Sequence, residues 1–260
     1  MKIKHLSNIV TQVYDELKPF SDKYRVDKKR YIFTLQILNR LGELNKKTIL
    51  DVGTGIGLTP LSLQKLGAHA FGLDFYIFPK NQNNMFNNQS IEKIKKIWQR
   101  NNIHILDKSI YDNNLPWPNK YFDIVLSEAM IEHLKDPKKF IEQCGKFLKP
   151  RGYLLISTPN PATLLKRLRF LLGRSPNWPI ESYYNAGENF TGHWREYTIK
   201  ELIYMCQTSG FEIVKTYNKN LLASFKKISA WHKNFQALIV LISSIFPKTK
   251  EMNYILCRKK

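Results

Sequence analysis

Ile49-Leu50-Asp51-Val52-Gly53-Thr54-Gly55-Ile56-Gly57 is an apolar run that opens into three alternating glycines. The run reads as a buried strand, and the segment from about Thr59 onward reads as a helix. Glycine suits such a corner because no Cβ blocks the tight strand-to-helix turn, so backbone can approach a ligand closely. The free N–H groups of the helix start face the same place. The spacing is GxGxG, and Leu58 stands where a dinucleotide fingerprint wants its third glycine. Asp51, just before the loop, can organise the loop amides and oppose a cationic ligand, but would sit badly beside a pyrophosphate. Both details favour a ligand without phosphates.

Outward from this corner, short apolar runs alternate with helical stretches: Thr48–Leu50, Ala70–Leu73, Ile103–Leu106, Asp123–Leu126 and Tyr153–Ser157. Strands that alternate with helices predict a doubly wound α/β fold, a parallel sheet with both faces covered. The second strand ends on Asp74, where a carboxylate can accept two hydrogen bonds from ribose hydroxyls. Residues 1–46 read as helical, with Ile9, Val13 and Leu17, then Ile32, Leu35, Leu38 and Leu41 at helical steps, and are expected to cap the domain's edge. Phe211–Tyr217 and Met252–Arg258 read as two further strands. The expected organisation is therefore a cap over 1–46 and one α/β domain over 47–260, interrupted by a lid-like insertion at 160–198 and an amphipathic helical insertion at 221–246. Both insertions leave the second half of the sheet, where connections of an open α/β fold can close over a ligand.

Composition narrows the setting. Cys144, Cys206 and Cys257 lie far apart and form no CxxC pair, so neither a disulfide framework nor a zinc ribbon is indicated and a reducing cytosol is expected. His5, Asp15 and Glu16 interrupt the start, unlike a signal peptide. The longest apolar run, Ala237–Phe246, is shorter than the ~20 residues of a spanning helix. The net charge is +20, from 41 Lys and Arg against 21 Asp and Glu. Such an excess attracts polyanions. Lysine spread over solvated faces accounts for it without a site, since bidentate phosphate recognition favours arginine. Nucleic acid is accordingly not the expected partner.

Asp51–Gly57, Asp74, Leu115–Ser127 (LPWPNKYFDIVLS), Ile131-Glu-His-Leu134 and Leu148–Asn160 (LKPRGYLLISTPN) resemble the successive motifs of class I S-adenosylmethionine-dependent methyltransferases, in the family's order. Leu172-Gly-Arg-Ser-Pro176, Gly192–Thr198 (GHWREYT) and Glu201–Phe211 are similar to a bacterial subgroup linked to cell-surface glycan pathways. The resemblance implies a Rossmann-like seven-stranded sheet with its last strand antiparallel, and S-adenosylmethionine as cofactor. It places Gly53, Thr54 and Gly55 under the methionine portion, with Asp51 and Gly57 completing the loop, Asp74 on the ribose, and Ser127 and Glu128 on the methionine side. Family members commonly follow the third strand with an acid and an apolar residue at the adenine. Here that register falls on Ser109-Ile110, with Asp107 as the alternative.

The implied activity is methyl transfer to a small-molecule or glycan acceptor, at oxygen. In-line attack on a sulfonium methyl depends chiefly on positioning and desolvation. A hydroxyl acceptor must also lose its proton, for which a histidine is suited. His133, after the fourth strand, and His193, in the insertion, are the candidates; each could instead serve only to hold its loop. Glu132-His133 also resembles an ExxEH metal motif of some quinone and small-RNA methyltransferases, but Ala129 occupies its first position, and no metal is expected. Arg167, Arg169, Arg174 and Arg195, interleaved with Trp178, Tyr183, Tyr184 and Trp194, suit an anionic or sugar-bearing acceptor or a lid with its own small core. The basic amphipathic pattern of 221–246 suits peripheral contact with an anionic membrane, or simply a covering helix. The alternatives are an RNA methyltransferase and a non-catalytic S-adenosylmethionine-binding protein.

Overall fold

The central strand β1 (Thr48–Val52) is buried over its last four residues, and its side chains divide between two cores. Ile49 points into one core and Leu50 and Val52 into the other, the two-residue period of a strand covered on both faces. The computed structural model describes residues 3–18, 20–76, 88–221, 239–246 and 248–260. β1 pairs in parallel with β2 (His69–Asp74) on one side and β4 (Phe122–Glu128) on the other. Beyond β2 lies β3 (His104–Asp107); beyond β4 lie β5 (Leu148–Pro159), β7 (Met252–Lys259) and β6 (Phe211–Lys219). The order is β3-β2-β1-β4-β5-β7-β6, and β7 is antiparallel to both neighbours. The expected seven-stranded sheet with its last strand antiparallel is the one observed.

One core packs α1 (Ile3–Glu16), α2 (Lys28–Asn39), α3 (Leu58–Lys65) and α4 (Asn88–Arg100) against Ile49, Ile124, Leu126 and Leu155. The other packs α5 (Pro137–Phe147) and α8 (Ile199–Thr208) against Leu50, Val125, Leu154 and Ile156. Each fully buried Leu or Ile contributes about 1.5–3 kcal/mol by leaving water. The helices of 1–46 thus share a core with the sheet.

The stretch 160–198 carries α6 (Leu164–Leu171) and α7 (Ile180–Ala186), neither of which buries a residue. Its order comes instead from an aromatic cluster in which Phe190 meets Tyr183 at 5.2 Å and Trp194 at 5.3 Å between ring centroids. The stretch ends where Thr198 and Glu201 form a reciprocal capping box that starts α8. Asn253 on β7 donates to the Tyr197 carbonyl at 3.0 Å and ties that end to the sheet. Most of the amphipathic segment expected at 221–246 lies outside the described residues; 239–245 are helical. Among the described residues no helix is long and apolar enough to cross a membrane.

Candidate active site

The chain reverses between β1 and α3 at the point where strand order switches, with β2 to one side and β4 to the other. In open α/β sheets ligands bind in this crevice, at the carboxyl ends of the strands. The loop is pinned from β2: the Gly53 and Thr54 amides donate to the Leu73 carbonyl at 2.8 and 3.3 Å, and the Gly55 amide to Asp74 Oδ2 at 2.6 Å. Gly53 has φ +79°, and a Cβ there would lie 2.7 Å from the Met130 sulfur. Gly57, at φ +86°, begins α3, and a Cβ there would meet Ile105 at 2.7 Å and the Trp98 indole nitrogen at 2.9 Å. That nitrogen donates to the Ile56 carbonyl.

Around the loop lie buried polar atoms without a hydrogen-bond partner: Asp51 Oδ1, Thr54 Oγ1, Glu128 Oε2 and Arg30 Nε. Arg30 comes from α2 and approaches Glu128 Oε2 at 3.7 Å. Thr59 of α3 donates to the other Glu128 oxygen at 3.2 Å. Burial and the neighbouring Glu128 charge push the Asp51 carboxyl well above the usual carboxylate range. Burial likewise raises Glu128, against the pull of Arg30. A buried polar group without a hydrogen bond costs about 1–3 kcal/mol, so Asp51 Oδ1 and Thr54 Oγ1 fit a ligand that supplies partners, while Arg30 and Glu128 offset one another as an ion pair. The methionine portion of S-adenosylmethionine carries an ammonium and a carboxylate, matching two acids and one guanidinium.

The carboxyl ends of β2 and β3 are engaged in local structure. Asp74 accepts from Gly55 through Oδ2 and from the Phe75 amide through Oδ1 at 2.7 Å, and each oxygen keeps a lone pair for a ribose hydroxyl. Burial raises the Asp74 carboxyl, against these two amide bonds. Asp107 Oδ1 accepts from the Tyr76 amide at 3.1 Å. Ser109 closes a turn, its Oγ accepting from the Tyr111 amide and its amide donating to Asp112, while Ile110 is buried in the second core. Ser127, fully buried, places its Oγ 3.6 Å from the Met130 sulfur.

After β4 the backbone takes a left-handed step at Ala129, φ +50°, and turns into a short helical turn, Ile131–His133. That step presents Glu132 and His133 to the stretch 160–198. Glu132 is wholly buried; its Oε2 accepts from Thr158 Oγ1 at 2.9 Å, and its carbonyl accepts from the Trp194 amide at 2.7 Å. The His133 and His193 rings meet edge to face at 4.9 Å, although 60 residues separate them in sequence (193 less 133). His193 also contacts Glu196 at 2.9 Å, and Glu196 forms an ion pair with Lys166 of α6. The two candidate histidines are therefore brought together, and His193 lines a cavity of about 840 Å³ with Arg169, Trp178, Tyr183, Trp194 and Arg195 among others.

This sheet order, with a glycine turn at its switch point and acids ending β1, β2 and β4, defines a Rossmann-like domain of the kind that holds an adenosyl ligand. Residues 25–216 match a family model described as a methyltransferase domain, and the chain belongs to that family of class I S-adenosylmethionine-dependent methyltransferases. Ubiquinone biosynthesis O-methyltransferase of Serratia proteamaculans is 26% identical over 162 residues, 62% of this chain and 62% of that protein. Its mitochondrial namesake in Dictyostelium discoideum is 30% identical over 191 residues, 72% of this chain and 53% of that protein. The chain thus spans between about half and three-fifths of the length of these curated relatives. Magnesium protoporphyrin IX methyltransferase of Synechocystis PCC 6803, solved with bound S-adenosylhomocysteine, has the same fold at a TM-score of 0.55 and 14% identity, over 92% of this chain and 86% of that one. A SAM-dependent methyltransferase of Archaeoglobus fulgidus superposes at a TM-score of 0.54 and 17% identity, over 88% and 94%.

Sequence reasoning missed Arg30, Met130 and Glu196. Arg30 is one cation in a basic helix start, and nothing in its spacing separates it from Lys28 or Lys29. Only its burial, at 9% exposure, sets it apart.

Proposed function

We propose that this chain transfers a methyl group from S-adenosylmethionine to a hydroxyl oxygen of a small-molecule or glycan acceptor held beneath the lid. The observation that carries the reading is the set of buried polar atoms around the glycine loop: Asp51 Oδ1 and Thr54 Oγ1, which lack a hydrogen bond, and the Arg30–Glu128 ion pair beside them. Asp51 and Glu128 would face the donor's ammonium, Arg30 its carboxylate, and Asp74 its ribose. Gly53, Thr54, Gly55 and Gly57 would run beneath it, with Ser127 beside it; Ser109 and Ile110, or Asp107, would edge the adenine.

S-adenosylmethionine supplies an electrophilic methyl on a sulfonium. The protein's part is to place an acceptor oxygen in line with it and to exclude water. His133 Nδ1 lies 2.9 and 3.1 Å from the carbonyls of Thr191 and Gly192, so it must carry the proton, leaving Nε2 able to accept one from the acceptor. His193 is set the same way by Glu196, whose carboxylate would stabilise the imidazolium that forms. Aromatic faces and Arg169 and Arg195 around the cavity suit an acceptor with a ring and an anionic group. The naming of the similar proteins for O-methyl transfer in ubiquinone biosynthesis supports oxygen as the methylated atom.

In this reading 1–46 is a helical cap that delivers Arg30, and 160–198 is a lid. Phe170, Leu171 and Leu172 stand 68–80% exposed beside Lys166, Arg167 and Arg169, which supports peripheral contact with an anionic membrane. Methyl-labelled S-adenosylmethionine offered with catechols and sugars tests the activity. Label on an acceptor oxygen, lost in the double variant His133→Ala/His193→Ala, is expected. Donor binding without label on any acceptor would leave only a binding protein.

A further inference from the structure

Glu128, Ser157 and Tyr254 form a row across three neighbouring strands, Glu128 of β4 paired with Ser157 of β5 and Ser157 with Tyr254 of β7. All three are buried, and Tyr254 packs in the core that α2 covers. From α2, Phe33 meets the Tyr254 ring edge to face at 5.1 Å. The next residue, Thr34, is wholly buried and lies one helical turn on from Arg30. Residues four apart share a helix face, so Arg30 and Thr34 reach the row together. The Thr34 hydroxyl approaches both the Glu128 carboxyl and the Tyr254 phenol, and Ser157 approaches the phenol. None of these three hydroxyls closes a direct hydrogen bond. The Arg30–Glu128 ion pair is itself loose at 3.7 Å, against about 2.7–2.9 Å for a direct charge-assisted bond. Thr59 donates to the other Glu128 oxygen at 3.2 Å.

We propose that Tyr254 is a positioning residue for the amino-acid end of the methyl donor, acting through Glu128; the inference rests on the donor site proposed above. The charged groups facing Glu128 are Arg30 and Asp27 from the α2 side and Asp51 from β1. Burial raises the Glu128 carboxyl and the Tyr254 phenol alike. A ligand ammonium set against Asp51 and Glu128 favours the ionised carboxylate, which offers only acceptor sites. Thr59 fills one of them. The raised phenol keeps its proton, so beside a carboxylate it serves as a donor, directly or through the Thr34 hydroxyl between them. Tyr254 thereby holds the Glu128 carboxylate towards the ligand. Its ring, packed on Phe33, also seats the helix that delivers Arg30. One side chain of β7 thus aligns an acid from β4 and a guanidinium from α2.

The test compares two ligands on the full chain by calorimetry: S-adenosylhomocysteine, and methylthioadenosine, which keeps the adenosine and thioether but lacks the ammonium and carboxylate. Tyr254→Phe retains the ring and its contact with Phe33. It should bind S-adenosylhomocysteine about three- to tenfold more weakly, the worth of one hydrogen bond, and methylthioadenosine as wild type does. The rise of S-adenosylhomocysteine affinity with pH should move to higher pH in this variant, because losing a donor to a carboxylate raises its pKa. In a Glu128→Gln background, Tyr254→Phe should add almost nothing, as expected of residues that act as one. Thr34→Val should discriminate between the ligands in the same sense, and carries the comparison if Tyr254→Phe fails to fold by circular dichroism. Unchanged S-adenosylhomocysteine affinity, an equal loss for both ligands, or additive losses with Glu128→Gln would overturn the proposal and leave the donor site standing. A wild-type chain that bound neither ligand would overturn both.

Discussion

At the scale of single residues, the glycine loop works by closeness and the acids around it by burial. Gly53 combines φ +79° with the Met130 side chain where a Cβ would go. Gly53→Ala should cost about 1 kcal/mol or more in stability, because the left-handed conformation is strained for alanine. It should also weaken S-adenosylhomocysteine binding, as denaturant titration and calorimetry would record. Asp51 and Glu128 give a pH prediction whose sign follows from their raised pKa values. In the free protein these carboxyls hold protons above the usual carboxylate range. A ligand ammonium favours their charged forms, so binding releases protons, and affinity rises with pH until both are ionised. Calorimetry in buffers of different ionisation enthalpy should detect that release; proton uptake, or none, would contradict the assigned ammonium contact.

At the scale of elements, the stretch 160–198, proposed as a lid, is the part whose stability is local. Neither α6 nor α7 buries a residue, and the link from α6 towards the site runs through Lys166, Glu196 and His193. Although burial opposes it, hydrogen bonds from His193 and Lys166 hold the Glu196 carboxyl below the usual range. Because that carboxyl is depressed on folding, its stabilisation is fully present above the unfolded value and is lost as pH falls through the lower folded one. Hydrogen exchange in 160–198 should therefore quicken on acidification below about pH 4. Glu196→Gln should show the faster exchange already at neutral pH. The apolar tip of the lid carries a separate expectation. Vesicles rich in anionic lipid should retain the wild-type chain, and Phe170→Glu with Leu171→Glu should release it with no loss of fold. Equal retention by zwitterionic vesicles, or by the variant, would count against the membrane contact.

At the scale of the whole molecule, the sheet was legible in the sequence and much of the site's periphery was not. Central strands such as β1 were legible as short apolar runs because the middle of the sheet is covered on both faces, as Ile49 and Leu50 illustrate by facing different cores. The loop from Asp51 to Gly57 was legible because positive φ leaves few residue types free to stand there. Arg30 was not, since its role depends on α2 crossing the end of β4, a contact between residues 98 apart (128 less 30). His133 and His193 were each visible as histidines, but their meeting required the lid to fold back over the turn after β4.

The central claim, that the crevice at β1 and β4 holds S-adenosylmethionine, is tested most directly by thermal unfolding with saturating S-adenosylhomocysteine, with NADH as control and Asp74→Ala beside wild type. A ligand at about 100 times its Kd adds about 2.7 kcal/mol to the native state. For a chain of this size that corresponds to a rise in Tm of roughly 5–10 °C. The account predicts this rise for wild type, a much smaller one for Asp74→Ala, and none with NADH. An unmoved Tm at saturating ligand, or a rise with NADH alone, would contradict it.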